Sequence, residues 1–432
     1  MPPSSLPGIP NDAPTAGRWR RAAVWLPFVL LAAWFVAEVA SGTSVVSSPQ
    51  QLDEQLWIGV DGLEPMYSEP PFRYRVLFRS IVEVVALVLG GPAHASTVGG
   101  REFWLAFLLV SAAAWGAALA ALRWLLREVG FTGWQLTLGL LAFVSAFPVV
   151  HAYGFPTATR EDPLGYACLA AGLVFWLRRQ VVPFVLVAMA GVATRETLLT
   201  LPIVWIVVGP WRGIGVRALQ MLPVAATVVG VRLFLSFELY SLANSLDNVL
   251  SWKETLLCSL LAFGWMTPPA VRALAARPIA PEHAPLERLH RAWRLVLPVT
   301  IATVLVGGIV REMRLLFLVA PWPIVFALLR ATLDRSQSAC RTAALGGALL
   351  LLPVLTLPCW LGEDPPVLTG GALDVYGRTT WLLLLAWHVG AAAWAYWPRR
   401  SFAVHRERTI RRRAARRAAA AFDRRLSAPA RS

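Results

Sequence analysis

Residues 178–212 read RRQVVPFVLVAMAGVATRETLLTLPIVWIVVGPWR, and the reading of this stretch decides the topology. Its apolar part, 181–209, is flanked by Arg178 and Arg179 on one side and Arg212 on the other. Arg195-Glu196 interrupts it near the middle. A single crossing would leave one basic cluster on the outer side, against the positive-inside bias. Two short helices meeting at Thr194-Arg195-Glu196-Thr197 keep both clusters inside. Each arm is short for a bilayer, so the segment reads as two short spans or as a broken, re-entrant hairpin. An ionisable pair at that depth points to function, while an ion pair that only holds the turn is the plainer explanation.

The rest of the chain agrees with a membrane setting. Of 432 residues, 57% are hydrophobic and 15% charged, far from the balance of a soluble domain. Mean hydropathy is +0.57. Composition therefore excludes a soluble multidomain enzyme and a disordered chain, and leaves a polytopic membrane protein. The net charge of +15 is carried almost wholly by arginine, since Lys253 is the sole lysine. That charge alternates with the apolar runs, so it reads as orientation and not as a nucleic-acid footprint. The four cysteines, Cys168, Cys258, Cys340 and Cys359, form no CxxC pair and read as small hydrophobes.

The first apolar run, Ala22 to Ala40, follows Arg18, Arg20 and Arg21. It lacks a clear cleavage site and reads as an uncleaved span with the N-terminus in the cytoplasm. Further spans are expected at about 103–123, 133–150, 163–177, 217–235, 254–269, 294–310, 315–330, 342–361 and 380–397. With the hairpin, the fold class is an all-α transmembrane bundle of about 12 crossings, two of them short, with both termini cytoplasmic. Residues 1–21 form a disordered-looking start, 22–397 the membrane domain, and 398–432 a cytoplasmic tail with twelve Arg against Glu407 and Asp423. The tail reads as an anchor on anionic lipid. The expected location is the bacterial cytoplasmic membrane.

The charged groups that anchors do not explain all fall on the outer side of this scheme. The first outer loop, 41–101, carries Asp53, Asp61, Glu64 and Glu69, then Arg73, Arg75, Arg79 and Glu83. Residues 74–90 read as an interfacial helix on the outer leaflet. Arg75, Arg79 and Glu83 are spaced i, i+4, i+8 and share one face. Guanidinium groups there suit a lipid phosphate, and a carboxylate upstream suits a general base. A snorkelling Arg face with a local ion pair explains the same spacing. Glu161 and Asp162 precede Pro163, so Asp162 as N-cap accounts for them without function. Arg195-Glu196 sits at the hairpin turn, and Arg311, Glu312 and Arg314 lie between two spans. These groups could line one outward-facing polar cavity. There is no Walker loop, dinucleotide fingerprint, GxSxG or HExxH, and the six histidines form no metal-ligand pair.

Three features together resemble the GT-C superfamily of integral membrane glycosyltransferases: a first span with its N-terminus inside, an outer loop with Asp61-Gly62 and a downstream Tyr67, and a loop-borne amphipathic helix. The run Pro71-Phe72-Arg73-Tyr74-Arg75-Val76-Leu77 resembles a motif in uncharacterised bacterial members. Arg195-Glu196-Thr197 and Glu312-x-Arg314 look like their later charged turns. The likeness covers the layout of residues 20–330. It implies a polyprenyl-phosphate sugar as donor, with Asp61, or Asp53 as fallback, as the base on the acceptor hydroxyl. Arg73 and Arg75 would bind the donor phosphate, with Arg79, Glu161, Asp162, Arg195, Glu196, Arg311, Glu312 and Arg314 as further substrate-binding positions. The expected partners are membrane lipid, the lipid-linked sugar and an acceptor, without nucleic acid. The chain departs from many members in having an Arg tail in place of a folded C-terminal domain. It also shows no clear Asp-x-Asp, so no cofactor is indicated and a divalent metal stays open. A transporter or flippase and a non-catalytic assembly protein are the competing readings.

Overall fold

The computed structural model describes residues 76–90, 101–144, 146, 148–149, 161–209, 211–234, 262–263, 266–267, 271, 284–307 and 314–333. The spans expected at 22–40, 342–361 and 380–397, most of 254–269 and both terminal segments lie outside these residues. The described part is all-helical, without a strand.

Helix α1 is Val76–Val88, α2 Arg101–Glu128, α3 Trp134–Val144 and α4 Asp162–Leu177. Helices α2 and α4 run parallel in one register, fixed by three pairs: Trp115–Tyr166, Trp124–Phe175 and Glu128–Arg178. The ring centroids are 6.1 Å apart in the first and 5.1 Å in the second. The last is an ion pair at 2.8 Å. The offset along the chain is 50 or 51 residues throughout, so Asp162 stands level with the buried Ser111 of α2. Apolar α2 is long enough to cross a membrane over Leu105–Glu128. It begins two residues before the expected run and ends five residues after it, because Arg123 and Arg127 continue its last turns.

Helix α3 returns antiparallel to α2. Its Gly139 fits where a Cβ would stand 2.6 Å from the Leu126 side chain and 2.9 Å from that of Leu328. Gly130 makes the turn between α2 and α3 at φ +96°, a left-handed conformation that suits glycine.

The stretch 181–209 does fold back. Helix α5 is Val181–Thr194, a 3₁₀ turn follows at Glu196–Leu199, and α6 is Thr200–Val207. Phe184, near the start of α5, stacks on Trp205, near the end of α6, at 4.4 Å. The two residues lie eleven before and ten after Arg195, so the arms are antiparallel and Arg195 is the tip. Each arm is about 20 Å long, short of a hydrocarbon core of roughly 30 Å. At the far end Arg217 donates from Nε to the Ile206 carbonyl at 2.9 Å, occupying one of the last acceptors of α6. Trp205 donates to Gln220 Oε1 at 2.9 Å.

The run expected at 217–235 is two helices, α7 Ile214–Gln220 and α8 Leu222–Phe234, bent by 45° at Met221. Helix α9, Ala284–Gly307, starts ten residues before the run expected at 294–310. Exposed Arg291 and Arg294 alternate there with buried Leu289, Ala292 and Trp293, so the helix extends past its apolar part. The short α10, Arg314–Phe317, and α11, Pro321–Leu333, complete the described set. Helices α9 and α11 pack antiparallel through Trp293 on Trp322 and His290 on Phe326, each at 6.1 Å.

Arg79, Glu161, Asp162 and Arg195 are buried, while Val84, Val88, Val182, Leu186, Leu219 and Leu233 are more than half exposed.

Candidate functional site

A buried carboxylate and a buried guanidinium meet where α4 begins and the hairpin turns. Arg195 breaks the hairpin because its backbone is extended, at φ −160° and ψ 133°. Its N–H donates to the Gly191 carbonyl at 2.8 Å, and its own carbonyl accepts from Leu198 N–H at 3.1 Å. The break stays hydrogen-bonded on both sides while the side chain is redirected. Arg195 Nη1 forms an ion pair with Asp162 Oδ1, and neither side chain has any solvent exposure. Glu161 is 1% exposed beside them.

This corrects the N-cap account of Asp162. The N-cap is Glu161, no side chain caps the helix, and Asp162 is the first helical residue with Pro163 behind it. Proline at this position lacks an N–H that the first turn could not bond anyway. The Asp162 carboxylate thus faces the guanidinium and not the backbone of its own helix.

Along α2 the site stands inside the apolar stretch. Level with Ser111, Asp162 is six residues past Leu105, where the apolar part of α2 begins. That is about 9 Å along the helix, with roughly 25 Å remaining to Glu128.

Below the charges is an aromatic layer. Tyr166, one turn after Asp162, is edge-on to Phe143 at 5.3 Å and to Phe317 at 5.8 Å. Trp115 closes the layer at 6.1 Å from Tyr166. Beneath it Leu119, Leu122, Leu140, Leu169, Leu173 and Leu201 are buried with no charge among them. Thr194, next to Arg195, and Thr200, at the start of α6, are buried too. Sequence reasoning missed Tyr166, although its i, i+4 spacing from Asp162 was the available signal.

Of the expected site residues, Arg195 meets Asp162, and Glu161, the preceding residue in the chain, is buried. Glu196 is half-buried at the head of the 3₁₀ turn. Arg314 opens α10, whose last residue is Phe317 of the aromatic layer. The neighbouring Leu318 lies 3.4 Å from where a Cβ at Gly165 would stand. Arg79 is also brought near: α1 buries Phe78, Arg79, Val82 and Ala86, and packs Phe78 on Phe107 at 6.1 Å. Leu164, two residues past Asp162, touches both this packing and the main core. Arg79 therefore faces the protein and is 2% exposed. Asp61, Asp53, Arg73, Arg75, Arg311 and Glu312 lie outside the described residues.

Burial pushes the Glu83 carboxyl above its usual range, and Arg79 one turn earlier opposes that shift. Among the described residues no three His, Cys, Asp or Glu side chains gather as a metal site. Cys168 is a buried free thiol. No family model, curated protein or solved structure matches the chain.

Proposed function

We propose that the chain is a GT-C-like membrane glycosyltransferase, with about 12 crossings and both termini cytoplasmic. It moves a sugar from a polyprenyl-phosphate donor to an acceptor on the outer face of a bacterial cytoplasmic membrane. The observation that carries the reading is the buried set of Glu161, Asp162 and Arg195 at the hairpin tip, with α1 and α10 beside it. Transfer from a lipid phosphate needs a base for the acceptor hydroxyl, cations for the departing phosphate and a place within reach of lipid. Arg195, with Arg73 and Arg75 on the segment leading into α1, supplies the cations. Asp61 supplies the base, with Asp53 as the fallback. The exposed valines and leucines of α1 and α5 support placement in lipid.

One observation favours a transporter or flippase instead. A broken hairpin with a charged tip inside an apolar bundle is how transporters build a substrate site. Against it, the aromatic layer and the uncharged core beneath the tip leave no polar route toward the Glu128 end among the described residues. A transferase needs access from one side only.

The test is transfer of labelled sugar from polyprenyl-phosphate donors by the reconstituted protein. Asp61→Asn loses about 10²–10⁴-fold in rate while donor binding persists. Glu64→Gln and Glu69→Gln, in the same loop, stay near wild type. If Asp53→Asn loses activity and Asp61→Asn does not, the base is Asp53. If both retain it, the base is sought at Glu161, Asp162 or Glu312. Movement of the intact donor across vesicles, without transfer, would favour the flippase.

A further inference from the structure

The two parallel helices α2 and α4 end side by side in the same turn, with different residues at its left-handed position. At the end of α2, Gly130 N–H donates to the Arg127 carbonyl and Phe131 N–H to that of Leu126. At the end of α4, Arg179 N–H donates to the Trp176 carbonyl and Gln180 N–H to that of Phe175. Glycine takes the first turn at φ +96°, and arginine takes the second at φ +58°. Among the described residues Arg179 is the one non-glycine with positive φ. An L side chain is disfavoured there, so a strained arginine where glycine folds better points to a use for the side chain.

Its surroundings show what that use is. Arg178 is held on Glu128 by Nε at 3.0 Å and Nη2 at 2.8 Å, with its guanidinium 5.0 Å from the centre of the Trp124 ring. Helix α9 brings its N-terminal, positively polarised end to the same place. Burial pushes the Arg288 guanidinium below its ordinary value, Arg179 adds to that, and Glu128 opposes it, so Arg179 and Glu128 both lie within electrostatic reach of Arg288. Near this end Arg178 pairs with Glu128 and Arg291 with Glu287, while arginines outnumber carboxylates among the described residues. Directly beyond Arg179, Val182 and Leu186 form an exposed aliphatic stripe at i, i+4 on α5, 69% and 61% exposed.

We propose that this end of the bundle binds an anionic phospholipid, its phosphate between Arg179 and Arg288 and an acyl chain along Val182 and Leu186. Paired guanidinium groups suit phosphate oxygens, and the aliphatic stripe selects a lipid over free phosphate. The site lies at the opposite end of α4 from Asp162. It needs the chain to sit in a membrane but does not need it to transfer a sugar.

The experiment is native mass spectrometry of the full chain in detergent. Dioleoyl-phosphatidylglycerol, dioleoyl-phosphatidylcholine and inorganic phosphate are added in separate arms. The wild type retains phosphatidylglycerol and releases phosphatidylcholine, and millimolar phosphate does not displace the bound lipid. Arg179→Gly relieves the backbone, so its unfolding midpoint equals or exceeds that of the wild type. Its Kd for phosphatidylglycerol rises at least tenfold, and Arg288→Gln weakens binding likewise. Unchanged binding in both variants, equal retention of phosphatidylcholine, or full displacement by phosphate would overturn the proposal. If Arg179→Gly accumulates poorly, Arg179→Gln and Arg288→Gln decide it by the same criterion.

Discussion

At the scale of single residues the decisive pair is Asp162 with Arg195. Removing one partner of a fully buried ion pair leaves a charge without compensation, at a cost of about 3–5 kcal/mol. Asp162→Asn is therefore expected to lower the unfolding midpoint of the reconstituted protein by many degrees. Replacing both residues with leucine recovers most of that loss, since an apolar pair of similar volume often substitutes for a buried ion pair. Transfer activity is lost in either case. A double variant as unstable as the single one would show that the two side chains are not coupled. Glu83 gives a pH-dependent test of α1. Its carboxyl is raised in the folded chain, so folding favours the protonated form. Its contribution is full below the ordinary carboxylate range and is lost as pH rises through that range to the raised value. Unfolding midpoints of Glu83→Gln should exceed those of wild type most at neutral pH and converge with them in acid; parallel profiles would contradict the burial of Glu83.

At the scale of elements, the hairpin was legible because two basic clusters flank one apolar run with a charge in its middle. The same pattern does not say which way Arg195 points. Only the extended backbone at the break sends it into α4, and an extended residue at a hairpin tip leaves no mark in periodicity. The N-cap account of Asp162 failed for a related reason: Asp before Pro at a helix start has two uses, and the choice depends on a guanidinium 33 residues away. Arg79 shares a helical face with Glu83, as the spacing indicated, and α1 turns Arg79 inward with Phe78 and Val82, because Phe107 and Leu164 supply the partner surface. The fit of α3 between α2 and α11 rests on Gly139. Gly139→Val overpacks that contact and is expected to cost about 1–3 kcal/mol, read as a lower unfolding midpoint. A midpoint equal to wild type would mean that Leu126 and Leu328 have room to withdraw. For the hairpin, cysteines placed at 180 and 212 should respond alike to a membrane-impermeant reagent. Opposite responses would mean that the two arms do not return to one side.

At the scale of the whole molecule, composition and arginine placement identified a helical chain and the approximate runs of most described helices. The extra turns of α2 and α9 went unseen because a helix does not stop where its apolar part stops. The position of the charged set along α2 was also hidden. It follows from the constant register of α2 against α4, which only the packed pairs reveal. Within the described residues one end of the bundle carries paired opposite charges over an aromatic layer, and the other carries excess arginine beside exposed aliphatic surface. Such asymmetry suits a protein that works on one face of a membrane and is anchored at the other. The most direct measurement is single-turnover transfer by the purified chain in proteoliposomes, supplied with a panel of polyprenyl-phosphate hexoses and pentoses labelled in the sugar. The account predicts that at least one donor loses its sugar to a membrane-extracted acceptor, and that Asp61→Asn slows this step by about 10²–10⁴-fold with donor still bound. Intact donor throughout the panel, or transfer unaffected by both Asp61→Asn and Asp162→Asn, would contradict it.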